Sequence, residues 1–114
     1  MTDEIRDLEL AMLQKEIRRD EVVEALKGIE KVFAAEIEAL WQQDKIPDYS
    51  NAQKRADAVK ARLASDKQAA TLDDERGALE IELRGMAIDL SFLRREFQRE
   101  MVRRREALVG IGGA

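Results

Sequence analysis

Six arginines fall within twelve residues late in the chain: Arg94, Arg95, Arg99, Arg103, Arg104 and Arg105. The guanidinium is a planar fork that grips phosphate or carboxylate through paired hydrogen bonds, so the cluster could meet nucleic acid or an acidic protein surface. Glu96 and Glu100 stand at helical pairing distance, and cations near a helix C-terminus complement its dipole. The cluster carries no aromatic stacking platform of its own, because Phe97 belongs to an apolar seam described below. Pairing with acidic protein, in this chain or a partner, is the simpler reading; phosphate is the alternative.

Catalytic chemistry is poorly supplied. Histidine is absent, which removes the usual general base and the Glu-x-x-His pairs of di-iron bundles. Cysteine is absent too, leaving no thiolate metal site and no disulfide. The carboxylates follow the solvent-facing positions of helices, and no phosphate loop, nucleophile elbow or calcium loop occurs. The sequence therefore predicts no catalytic, cofactor-binding or metal-binding residue and no small-molecule substrate. A non-enzymatic interaction protein is expected.

The arginines sit on a stretch from Thr71 to about Leu108 that reads as one long helix with two apolar stripes. Leu79, Leu83, Met86, Leu90, Leu93 and Phe97 recur at alternating steps of four and three, the spacing of a coiled-coil seam. Ile81, Ile88 and Phe92 point roughly 180° away at about 100° per residue. Burying the six seam side chains contributes on the order of 9–18 kcal/mol, and ordering about 37 backbone units costs several times more. The helix must be covered on two sides. Helices of the same chain or an oligomer contact could cover the second stripe.

A first helix, about 3–43, opens at Thr2 with Asp3 and Glu4 in its first turn. Its heptad register aligns Ile5, Met12, Leu26, Phe33 and Leu40 in one column and Leu8, Val22 and Ile29 in the other. Lys15 and Arg19 interrupt these columns, while Leu10, Leu13 and Ile17 form a displaced stripe. Either the helix kinks near Arg18 to Asp20, or its first segment faces a different partner. Gly28 inside the pattern is explicable if a neighbouring backbone approaches closely. Trp41 and Tyr49 flank a boundary at Pro47 and are expected to close the bundle end or anchor another protein.

Ser50 with Gln53 suggests a capping box for a short middle helix, about 50–64, with a seam of Ala52, Ala56, Val59 and Leu63. Thr71 with Asp74 suggests the start of the third, about 71–108, and Gly110 its end, leaving 110–114 as a flexible Gly-rich tail. The fold class expected is all-α: a long helical hairpin or coiled coil of two long helices and one short, forming an oligomeric bundle. Residues 1–109 are expected to make one domain.

Charged residues amount to 39% and hydrophobic ones to 45%, with one Pro, a profile of long helices. The net charge of -4 is too mild to indicate a nucleic-acid or membrane partner. Its distribution is more informative: residues 2–40 hold 11 acids and 6 bases, whereas residues 94–106 hold 3 and 6. An acidic first helix suits the basic end of the third, in its own chain or a second copy. No long apolar run provides a signal or membrane span, and the acidic start differs from a secretory leader, so a cytoplasmic protein is expected.

In architecture, the long hairpin resembles export chaperones of flagellar and type III secretion systems and the oligomerisation core of phage small terminase subunits. The first resemblance implies a non-catalytic assembly factor, adaptor or chaperone that binds a protein partner or itself. The second implies a packaging or regulatory factor using the Arg94 to Arg105 segment on nucleic acid.

Overall fold

A computed structural model describes residues 2–112. Helix α1 spans Thr2–Asp44, a single 3-10 turn Pro47–Tyr49, helix α2 Ala52–Ser65 and helix α3 Lys67–Gly112. No strand occurs among the described residues. The fold is the expected all-α hairpin of two long helices and one short. The chain divides into two compact units, one of Arg18–Leu79 and one of the segment up to Ile17 with that from Glu80 onward.

Helix α1 runs as one element of 43 residues, with no break near Arg18 to Asp20. Lys15 and Arg19 are tolerated on the packed face because their charges reach its edge. Lys15 Nζ meets Glu82 at 2.5 Å, and Arg19 meets Asp20 at 3.4 Å. Their alkyl stems fill the line while their heads stay solvated. The helix ends at Lys45, whose φ of 51° is left-handed and whose N–H donates to the Trp41 carbonyl at 3.1 Å. This is a left-handed C-cap built on lysine rather than glycine. Lys45 Nζ also lies 5.0 Å from the Trp41 ring centroid, and extended Ile46 leads into Pro47.

Two expected caps are replaced by neighbours. Asn51, not Ser50, caps α2, its Oδ1 accepting from the Lys54 N–H at 2.8 Å. Ser50 is occupied in closing the Pro47 turn through its own N–H, and Gln53 donates to Asp57. Helix α3 starts four residues before Thr71, because Asp66 adopts an extended ψ of 125° and accepts from the Ala69 N–H at 2.8 Å. Thr71 Oγ1 instead bonds the Lys67 carbonyl inside the helix. At its other end α3 continues through Gly110 to Gly112, so the expected tail is helical that far; residues 113 and 114 lie outside the described residues.

In the unit Arg18–Leu79, Val22 and Ile37 are completely enclosed, with Val59, Ala69 and Leu79 buried beside them. A strict heptad continued from Val22 and Ile29 would seat Glu36. The packed line instead passes Leu26, Ile29, Phe33, Ile37 and Leu40, a four-residue step that lets the apolar side chain take the seat. Glu36 turns outward to meet Arg62 at 2.6 Å, while Glu38 meets Arg55 at 3.1 Å, fixing α2 antiparallel to α1. Ala52 and Ala56, expected in the α2 seam, are exposed; Val59 is buried and Leu63 half-buried. No backbone approaches Gly28, where a Cβ would meet nothing within 4 Å.

Candidate functional site

In the other unit, Arg94 of α3 bonds Glu9 of α1 at 2.9 Å, and Glu82 meets Lys15, so the two helices run antiparallel. The α3 seam faces inward as its spacing demands. Leu83 and Leu90 are buried, and Met86, Leu93 and Phe97 half-buried. Leu79, the first seam residue, is buried in the unit Arg18–Leu79.

The second stripe has a different fate. Ile81, Ile88 and Phe92 are 70%, 68% and 61% exposed. Leu10, Leu13 and Ile17 on α1 are 53%, 50% and 52% exposed. Burial of the α3 stripe against helices of the same chain therefore does not occur. Each stripe lies on the side of its helix away from the occupied seam, so the two form opposite outer edges of the α1–α3 pair. Six apolar side chains on two edges exceed the scattered single exposures ordinary for a protein surface.

Charge frames these edges. Asp7 precedes Leu10 by three positions and Glu16 follows Leu13 by three; Arg84 precedes Ile88 by four and Arg95 follows Phe92 by three. These four make no ion pair among the described residues. Asp7, Glu16 and Arg84 follow no motif, and their helical neighbourhood to the stripes is the one signal in the sequence that marks them.

The arginine cluster is divided. Arg94 spans to Glu9, whereas Arg99 pairs with Glu96 at 3.2 Å and Arg104 with Glu100 at 2.7 Å on the same helix. Arg95, Arg103 and Arg105 make no ion pair among the described residues. From Met101 to Gly110 every side-chain position is exposed. A surface depression is lined by Arg95, Gln98, Arg99, Val102 and Arg103.

In the unit Arg18–Leu79, Arg18 holds Glu75 through Nε at 2.7 Å and Nη2 at 3.0 Å. These hydrogen bonds keep the Glu75 carboxyl below its usual range and raise the Arg18 guanidinium, with a smaller contribution from Glu21. Trp41 and Tyr49 are half-buried at the turn, where the Tyr49 carbonyl accepts from Arg55 at 2.9 Å.

Among the described residues no group of three or more acids gathers in a metal-binding arrangement. Nor is any helix long and apolar enough to cross a membrane. Comparison with protein-family models, curated proteins and solved structures yields no match.

Proposed function

We propose that this chain is a non-catalytic helical assembly factor or adaptor, acting in the cytoplasm by coiled-coil contact with a protein partner and by self-association. The observation that carries the reading is the exposure of Ile81, Ile88 and Phe92 on a helix whose other face is already occupied. An amphipathic edge of this kind suits a second helix laid along it.

Ile88→Asp tests it. The substitution sets a charge in the middle of the stripe without touching the buried seam, so helicity should persist while association is lost. Sedimentation of the unmodified protein as a well-folded monomer, unaltered by Ile88→Asp, overturns the reading.

A second reading is supported by the unpaired Arg103 and Arg105 on the fully exposed end of α3. They suit phosphate contact by a packaging or regulatory factor. Such binding should weaken steeply with salt, and replacing Arg103, Arg104 and Arg105 by Gln should abolish it in a mobility-shift assay. No retention of DNA or RNA by the unmodified protein excludes it.

A further inference from the structure

We infer that the exposed α3 edge pairs with the same edge of a second copy of this chain, the two helices running parallel about a two-fold axis. This rests on the interaction reading above and specifies its partner. The placement of opposite charges on the two flanks of the stripe decides the arrangement.

Counted at about 100° per residue from Ile88 at about 0°, Ile81 lies at about 20°, Phe92 at about 40°, Arg84 and Arg95 at about -40° and -20°, and Glu96 and Asp89 at about 80° and 100°. One flank of the stripe is therefore basic and the other acidic. Arg84 and Asp89 are exposed and make no ion pair among the described residues. Asp89 has no cation within helical reach, since the positions three and four away hold Met86, Gly85, Phe92 and Leu93.

A two-fold axis along the helices sets the basic flank of each copy against the acidic flank of the other and keeps every residue level with itself. Ile81, Gly85, Ile88 and Phe92, at steps of four, three and four, take the core positions of a parallel pair. Arg84 and Asp89 then stand at the g and e positions, whose side chains meet between helices, so Arg84 of each copy reaches Asp89 of the other. Ile88 enters a hole edged by Gly85, Ile88 and Phe92 of the second copy. A Cβ at Gly85 would meet nothing within 4 Å, so the backbones are free to approach there.

The alternatives fit less well. Antiparallel pairing of two α3 edges brings like flanks together and, centred on Ile88, sets Asp89 beside Asp89 and Arg84 near Arg95. The α1 edge offers no matching flank, because Asp7 and Glu16 lie on opposite sides of its stripe. Beyond Phe92 the core positions pass to Arg95 and Arg99, which confines the contact to about three turns. Because one edge meets its own copy, association closes at the dimer, and the α1 edges stay open for a protein partner.

The chain lacks cysteine, so introduced thiols report without background. Ile81→Cys and Ile88→Cys proteins, each oxidised alone, should both yield disulfide-linked dimers. Arg84→Glu and Asp89→Arg should each weaken self-association at least about tenfold, with helicity kept by circular dichroism. Mixing these two proteins should restore it, because each Glu or Arg introduced then faces its opposite. A dimer linked through Ile88→Cys but not through Ile81→Cys, a mixture no stronger than its components, or a mass beyond the dimer overturns the parallel contact and leaves the adaptor reading standing. A monomer at every concentration overturns both.

Discussion

Arg18 of α1 grips both carboxylate oxygens of Glu75 of α3, at 2.7 and 3.0 Å, across 57 residues of sequence. The fork favours the charged carboxylate and holds its pKa below the ordinary range. A depressed folded-state pKa contributes stability that is present above the unfolded value, about 4.3, and is lost as pH falls through the folded value. Glu75→Gln should therefore lower the melting temperature at pH 7, and the gap from the unmodified protein should close below about pH 4. Melts by circular dichroism across this range check it; a gap independent of pH contradicts it.

Ile37 is completely enclosed, whereas its neighbour Glu36 is exposed. Ile37→Ala should cost about 2–5 kcal/mol by leaving a cavity. Glu36→Ala, losing only an exposed pair with Arg62, should cost at most about 1 kcal/mol. Urea unfolding distinguishes them, and the reverse order would favour the strict heptad.

Lys45 holds a left-handed backbone that glycine adopts without strain. Lys45→Val should destabilise by about 1–3 kcal/mol, since a β-branched side chain fits this conformation worst. Lys45→Gly should be far better tolerated, with the lost contact on Trp41 partly offsetting the relief. Comparison of the two midpoints decides.

The separation of α2 from α3 depends on Asp66. Asp66→Ala removes the acceptor of the Ala69 N–H and should cost about 0.5–2 kcal/mol, while Asp66→Asn retains most of it. Thr71→Ala, within the helix, should change stability by no more than about 0.5 kcal/mol. Thermal melts of the three proteins test this directly.

Gly28 lies in helix α1 with open space where its Cβ would be. Gly28→Ala should stabilise the chain by about 0.5–1 kcal/mol. An unfolding midpoint that falls instead would reveal a neighbour against this face in solution.

Periodicity marked the helical stretches and the α3 seam, and Pro47 the first turn, because steps of three and four leave few other ways to gather apolar side chains on one face. It also marked Ile81, Ile88, Phe92, Leu10, Leu13 and Ile17 as surplus to that seam. Local chemistry was less decisive: Ser50 and Asn51, or Thr71 and Asp66, offer similar side-chain oxygens, and the backbone bonds already taken select between them. Only the folded chain determined that Ile37 displaces Glu36, since the better seat depends on where α2 lies against α1. Only tertiary structure, too, left the second stripe bare. A pattern can require that an apolar face be covered, but which surface remains to cover it depends on where the other helices have already been used.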